Sequence, residues 1–132
     1  MKKNSLILII ILCFAYSCKA QSQLEVLNNY TNNIIGTWTS EDDSNHKIEF
    51  TSNSACNIYV NNVLESTFYY ILGTTCGTNS NNGYDIFLKL KENNLNTEYT
   101  CEVINNISTD SNGIITLSIT TERGKLETYI KE

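Results

Sequence analysis

The chain has 132 residues, which is enough for one domain but not two, and its net charge at neutral pH is −5. Nine basic residues are scattered among 14 acidic ones, whereas nucleic-acid-binding proteins carry a basic stripe that neutralises phosphates. The same acidic balance argues against adhesion to anionic lipid through charge. The composition therefore argues against a nucleic acid as partner, and any membrane contact must be made in another way.

Residues 1–20 have the organisation of a bacterial export signal. Lys2 and Lys3 form a short positive segment, and an unbroken apolar run of ten residues follows from Leu6 to Ala15. A helix needs about 20 apolar residues to span a bilayer, so a run of this length matches the apolar region of a signal peptide instead. We therefore predict that the protein is exported.

Two cleavage sites compete at the end of this segment. Residues 15–18 resemble a loose lipobox, in which Cys18 becomes the lipid-bearing first residue of the mature protein. Residues 18–20 instead match the A-x-A pattern of ordinary signal peptidase, which would release a chain beginning at Gln21. We expect lipid attachment at Cys18, because the small Ser17 precedes it. The lipid would be the sole membrane contact, at the outer membrane or cell surface; the alternative is a periplasmic or secreted protein.

Residues 21–33 read as a tether with a short helix, because Leu24, Leu27 and Tyr30 recur every three residues. From residue 34 onward, short runs rich in β-branched and aromatic residues alternate with polar turns, which is typical of strands. The eight predicted strands are Ile34–Ser40, His46–Thr51, Cys56–Val60, Leu64–Leu72, Tyr84–Lys91, Glu98–Ile104, Ile114–Thr121 and Lys125–Lys131.

Within the predicted strands, apolar residues alternate with polar ones. Ile115, Leu117 and Ile119 share one face of the seventh strand, and Leu126 and Ile130 share one face of the last. Recurrent Asn-Asn pairs are interpreted mostly as turns, because asparagine tolerates left-handed backbone. The longest loop, Gly73–Gly83, is expected to be mobile and functional.

Short connections make strands that are neighbours in sequence neighbours in space, and no second helix is available to cover an open sheet. A single sheet must then curl on itself or split in two to hide its apolar face. The sequence therefore predicts an all-β domain over residues 34–132. Its expected form is a small antiparallel up-and-down barrel of about eight strands, preceded by a short helical turn.

Four short segments occur in a fixed order: Ile-Gly-Thr-Trp at 35–38, Ile-Glu-Phe at 48–50, Cys-Gly at 76–77, and Cys101. Gly-x-Trp at the start of the first strand resembles the lipocalin signature. The ordered set resembles the small lipocalin-like-domain lipoproteins of Gram-negative bacteria, over about residues 34–131. The resemblance implies a barrel whose fold supports binding of a ligand or partner.

Gly36 and Trp38 are expected to close one end of that barrel. The indole would fill the closed end, and its N–H needs one hydrogen-bond partner. In lipocalins an arginine from near the chain end stacks over this tryptophan. The single arginine here is Arg123, and Lys131 is the other basic candidate. The alternative is that Trp38 is an ordinary core residue with no special partner.

Three cysteines lie beyond the signal segment: Cys56, Cys76 and Cys101. An odd number in an oxidising compartment predicts one disulfide and one remaining thiol. The resemblance favours a Cys76–Cys101 disulfide, which would pin the long loop to the sheet and leave Cys56 buried as a free thiol.

The sequence places no catalytic set and no metal site. A cysteine nucleophile needs a general base, and His46 is the single histidine of the chain. The acidic residues at 41–43 and the Asx-type turn at 110–113 lack the alternating ligands of a calcium loop. We therefore expect no enzyme activity, no metal and no cofactor.

Aromatic residues on the predicted strands are the remaining feature. Tyr59, Phe68, Tyr70 and Tyr99 either form a face for a ligand or partner, or serve only core and surface packing. The sequence thus predicts a monomeric, non-enzymatic, exported binding module for a small hydrophobic ligand or a protein partner. The alternative is a protein inhibitor similar to the membrane-bound lysozyme inhibitors, although their Ser-Gly-x-x-Tyr loop is not present.

Overall fold

The computed structural model describes residues 23–77, 85–92 and 98–132. Within these ranges the chain forms one helix, α1 (23–33), followed by eight strands. The strands are β1 (Gly36–Ser40), β2 (His46–Phe50), β3 (Ala55–Val60), β4 (Val63–Gly73), β5 (Ile86–Lys91), β6 (Thr100–Thr109), β7 (Ile115–Thr120) and β8 (Leu126–Lys131). In the part of the chain that is described, no helix has the length and apolarity needed to cross a membrane.

The eight strands form a closed antiparallel barrel. Each strand pairs with the next one along the chain, and β8 returns to pair with β1 at Trp38–Lys131 and Ser40–Tyr129. Closure gives the backbone groups of β1 and β8 hydrogen-bond partners, so neither strand is left as an exposed edge. The predicted fold class, a small up-and-down barrel of eight strands after a short helix, is confirmed.

The sixth strand is longer than predicted. The sequence pattern ended it at Ile104, whereas β6 continues to Thr109. A β-bulge between Ile104 and Asn106 shifts the pairing with β7 at that point. Since a bulge adds one residue to a strand, it breaks the period-two alternation from which the strand was predicted.

The asparagine pairs have several structural roles, not one. Asn61 and Asn62 have φ values of 52° and 61° and form the tight turn between β3 and β4, as predicted. Residues 32–33, however, lie in α1, where Asn33 donates a hydrogen bond to the Asn29 side chain at 2.6 Å. Residues 105–106 lie at the β6 bulge, and the pairs at 81–82 and 93–94 lie outside the described residues.

The strand directions give the barrel two distinct ends. Helix α1, the start of β1 and the end of β8 meet at one end, which we call the closed end. The turns at 41–45, 61–62 and 121–125 lie at the other, which we call the open end. The residues that pack in the main core are Ile34, Trp38, Ile48, Phe50, Cys56, Tyr70, Ile86, Leu88, Ile104, Leu117, Ile119 and Tyr129.

The last strand turns a polar face inward. Leu126 is 60% exposed and Ile130 is 36% exposed, so the face they share lies on the outside of the barrel. Tyr129 is buried instead and lies opposite Leu117, while Glu127 lies opposite Ile119. The register with β7 therefore directs Glu127 and Tyr129 into the barrel, although Leu126 and Ile130 are more hydrophobic.

Candidate functional site

Trp38 fills the closed end of the barrel. It is completely buried, and its Nε1–H donates a hydrogen bond to the Ile34 carbonyl oxygen at 2.7 Å. The Lys131 Nζ lies 5.1 Å from the centroid of the Trp38 ring. The same Nζ donates a 2.8 Å hydrogen bond to the Asn33 carbonyl oxygen at the end of α1. One lysine thus joins the helix, the tryptophan and the last strand.

Of the two basic residues expected to cover Trp38, Lys131 occupies the position and Arg123 does not. Arg123 lies in the turn between β7 and β8, at the open end. Gly36 makes the approach of the lysine feasible, because a Cβ at this position would lie 2.9 Å from Lys131 Cε. Gly36 also has a φ of 132°, a conformation that side chains with a Cβ rarely adopt.

A cavity of about 250 Å³ lies inside the barrel toward the open end. Near α1 the interior is filled by Trp38 and its neighbours, and several side chains of the main core also line the cavity. The apolar part of the cavity lining comes from Ile48, Phe50, Cys56, Ile58, Leu88, Leu90 and Ile119. The remaining lining residues are His46, Glu102, Thr121, Glu127 and Tyr129.

Glu127 is held by neighbours within its own strand and turn. The Tyr129 hydroxyl donates a 2.7 Å hydrogen bond to Glu127 Oε2, and Lys125 Nζ donates a 3.0 Å hydrogen bond to Oε1. Burial alone would raise the pKa of Glu127, but these hydrogen bonds and the lysine charge outweigh burial and lower that pKa. Glu127 therefore stays ionised at neutral pH.

Glu102 is in a different situation. It lies opposite Leu88 in the β5–β6 register, and it therefore faces the cavity. Within the described part of the chain, no hydrogen bond or ion pair reaches its carboxyl group. Burial raises the pKa of Glu102 to about 7, with a further contribution from the negative charges of Glu127 and Glu122. At neutral pH this carboxyl group is divided between its two protonation states.

A second hollow lies beside the cavity at the rim. The two share His46, Glu127 and Tyr129, and the outer hollow adds Asp42, Asp43 and Lys125. The His46 and Tyr129 rings lie 6.1 Å apart at this junction. Carboxylates thus outnumber the lysine in the lining of the outer hollow.

The four aromatic residues singled out in the sequence do not share one face. Tyr59 donates a 3.0 Å hydrogen bond to Glu49 on the barrel surface, and Tyr70 is buried with its hydroxyl bonded to the Thr51 carbonyl oxygen. Phe68 and Tyr99 do come together, since both line a hollow of about 440 Å³ near the rim. Lys91 Nζ lies 5.3 Å from the Tyr99 ring centroid there.

Cys76 and Cys101 form a pair, and Cys56 lies apart from them in the cavity lining. Cys76 and Cys101 lie at disulfide-bonding distance, with 6.1 Å between their Cα atoms. Cys56 is a free, buried thiol that lines the cavity. Burial, and secondarily the charge of Glu102, raises the pKa of Cys56 to about 12. The predicted lipid site, Cys18, lies outside the described residues.

The two inward carboxyl groups, Glu102 and Glu127, were not predicted from the sequence. A signal for Glu102 did exist, because residue 102 is two positions before Ile104, and both should share a strand face. For Glu127 the alternation pointed the other way, toward Leu126 and Ile130. Among the described residues, no group of three or more His, Cys, Asp or Glu side chains is placed to hold a metal ion.

One comparison with known proteins gives a match. The model of a family of unknown function, DUF6705, matches residues 1–128. No curated protein and no solved structure matches the chain.

Proposed function

Because the chain belongs to the DUF6705 family, whose function is unknown, we propose a function from its interior: a non-enzymatic, exported binding module. Its ligand is a small molecule held inside the barrel, as the resemblance to lipocalins also suggests. The observation that carries this proposal is the open cavity of about 250 Å³ between the Trp38 plug and the rim. An eight-stranded barrel has room either for side chains alone or for one small ligand.

The dimensions and lining of the cavity support a small, partly apolar ligand. A volume of about 250 Å³ corresponds to roughly eight water molecules at liquid density. It is smaller than the roughly 300–1,000 Å³ typical of pockets for drug-sized ligands. Apolar side chains on one side and a few polar groups at the rim match the usual composition of a binding pocket, in which the polar groups orient the ligand.

Two of the reactive side chains in the cavity, Cys56 and Glu127, are poorly suited to catalysis, which supports binding without turnover. Cys56 is the one thiol in its lining, and burial raises the pKa of Cys56 to about 12. The thiol therefore stays protonated at neutral pH, and a protonated thiol is a poor nucleophile. Glu127 is tied to Tyr129 and Lys125 by hydrogen bonds, which leaves it less free to transfer a proton.

Binding can be tested with three probes of nearly equal size: benzylamine, benzyl alcohol and benzoate. We expect at least one of them to shift the NMR signals of cavity residues such as Ile58 and Leu88 in the full chain. Ile58→Phe places extra volume in the cavity and should abolish the shifts. The control Ile71→Phe makes the same change at a residue that is 46% exposed on the barrel surface. If none of the probes perturbs the cavity, the proposal is wrong.

Export and lipid anchoring complete the proposal. The Cys76–Cys101 pair at disulfide distance supports an oxidising compartment, where such bonds persist. We expect mass spectrometry of the mature protein to find Cys18 as the first residue, carrying acyl chains. An unmodified chain that begins at Gln21 would instead establish a soluble exported protein.

A further inference from the structure

We propose that the ligand of the barrel cavity is a small organic cation, a primary amine with a short apolar tail, whose ammonium group pairs with Glu102. The inference rests on the proposed function, because it names the ligand class for the same cavity. The tail would lie against Ile48, Leu88 and the other apolar side chains of the lining.

The placement of Glu102 is the first argument. Its register partner Leu88 and its same-face neighbour Ile104 are 1% and 2% exposed, so the residue belongs to an otherwise apolar wall. A carboxylate in such a wall destabilises the folded state unless a partner compensates its lost hydration. An apolar residue would serve stability better at this position. A ligand with a positive charge would supply the missing partner.

The contrast with Glu127 is the second argument. Both carboxyl groups face the cavity, but Glu127 already accepts hydrogen bonds from Tyr129 and Lys125. No comparable donor reaches Glu102 within the described residues. Glu102 is therefore the carboxyl group that remains available to a ligand, while Glu127 adds negative charge to the surroundings.

The electrostatics of the entrance favour the same class of ligand. Asp42, Asp43 and Glu127 line the outer hollow, against one lysine, Lys125. Glu122, in the turn above the rim, also acts on Glu102 with its negative charge. Clefts lined by charges of one sign concentrate ligands of the opposite sign and repel those of the same sign. An anion is therefore disfavoured, and a neutral ligand gains nothing from this field.

The pH dependence of binding follows from the same contacts. An ammonium group binds the ionised form of Glu102, so uptake should displace a proton below about pH 7, where the pKa of Glu102 lies. The other titratable groups that face this carboxyl group are Glu127 and Tyr129 of β8, Cys56 of β3, His46 of β2 and Glu122 of the β7–β8 turn. His46 is the basic side chain among them, so the test below includes a variant at this position.

The test compares the dissociation constants of benzylamine, benzyl alcohol and benzoate for the full chain at pH 8. We expect benzylamine to bind about tenfold or more tightly than benzyl alcohol, and benzoate to bind least. Glu102→Gln should weaken benzylamine binding by about ten- to hundredfold, the usual range for a charge-assisted contact, and leave benzyl alcohol binding nearly unchanged. The control Glu65→Gln removes the same charge at an exposed position of β4 and should change neither.

A pH series tests the inference without relying on a variant at Glu102. Between pH 8 and pH 6 the ionised fraction of a carboxyl group with a pKa of about 7 falls about tenfold. Benzylamine affinity should fall by the same factor, and benzyl alcohol affinity should not. The series is repeated with His46→Gln, in which the dependence should persist.

The outcomes separate the two proposals. If benzyl alcohol or benzoate binds in the cavity as tightly as benzylamine, or Glu102→Gln leaves benzylamine affinity unchanged, the cation inference is wrong and the binding function stands. A pH dependence that disappears in His46→Gln also overturns the inference, because the histidine would then be its cause. If none of the three probes binds, both proposals are wrong.

Discussion

Trp38 and Glu102 both point into the barrel, but their positions have opposite effects on the stability of the fold. Trp38 is fully buried with its one polar atom bonded to Ile34, so its position stabilises the fold. Glu102 is partly buried and has no hydrogen-bond or ion-pair partner among the described residues, so its position destabilises the fold. At the residue scale, the first is a structural side chain. The second has the properties expected of a residue kept for binding.

Truncating the Trp38 side chain should strongly destabilise the fold. We expect Trp38→Ala to lower the free energy of unfolding by about 3–5 kcal/mol, the range for emptying a buried aromatic site. The variant also removes the indole donor to Ile34 and the surface under Lys131 Nζ. Denaturant unfolding followed by circular dichroism measures the loss. The conservative Trp38→Phe should cost less, since most of the packing remains, and an unchanged Trp38→Ala midpoint would contradict the plug.

The sequence identifies Trp38 better than Glu102, and the reason is physical. A large aromatic residue at the start of a strand has few stable places other than the core, and the resemblance to lipocalins points to the same position. A glutamate is ordinarily on the surface. Its spacing of two from Ile104 indicates the inner face, but the register with β5 is needed to place Glu102 beside Leu88, and register depends on pairing between strands.

At the scale of elements, the β4–β5 connection is attached to the barrel wall by a covalent bridge. Cys76 follows β4, and Cys101 lies in β6 opposite Lys89 of β5. The two cysteines are 25 positions apart in the sequence. The bridge therefore holds the start of this connection against the neighbouring hairpin, while the rest of the predicted loop Gly73–Gly83, from residue 78 onward, lies outside the described residues.

Removing this bridge should destabilise the domain by roughly 3 kcal/mol, the chain-entropy value for closing a loop of about 25 residues. We expect the double variant Cys76→Ser/Cys101→Ser to show this loss in denaturant unfolding. Treatment of the native chain with a reductant serves as the matched control and should give a similar loss. Peptide mapping under non-reducing conditions that joins Cys56 to either partner would contradict the pairing.

The strands also show where sequence patterns fail at this scale. Alternation located all eight strands, but it ended β6 at the Asn105 bulge and favoured the wrong inner face for β8. In β8 the apolar residues Leu126 and Ile130 lie outside, because pairing with β7 aligns Tyr129 with Leu117. In a strand with polar and apolar residues on both faces, pairing with the neighbouring strands decides which face is buried. The residue pattern of one strand contains no information about that pairing.

At the scale of the whole molecule, the barrel interior differs between its two ends. Near α1 the interior is packed around Trp38 and Phe50, and toward the open end it holds a cavity with carboxyl groups at its rim. The packed half supplies the stability, so the open half can retain groups that oppose folding. This division predicts how the stability of the entire domain changes with pH.

Glu102 should make the domain less stable as the pH rises, which is the opposite of the usual effect of a carboxyl group. Its pKa is raised from 4.5 to about 7 by folding, so the folded protein holds a proton that the unfolded chain releases between these values. The contribution of Glu102 to the free energy of unfolding is therefore largest below pH 4.5. It falls as the pH rises to 7 and is constant above pH 7. Glu127 acts in the opposite direction, because its pKa is lowered, and its stabilising contribution is lost in acid.

We expect Glu102→Gln to remove most of the decline between pH 5 and pH 8. The variant should be more stable than the native chain at pH 8 by roughly 1 kcal/mol, after allowance for the exposed part of the carboxyl group, and nearly equal to it at pH 5. Thermal unfolding at a series of pH values measures both. Glu65→Gln changes the same charge on the exposed surface and should leave the slope in place. If the stability of Glu102→Gln declines with pH as steeply as that of the native chain, the carboxyl group of Glu102 is not the source of the pH dependence.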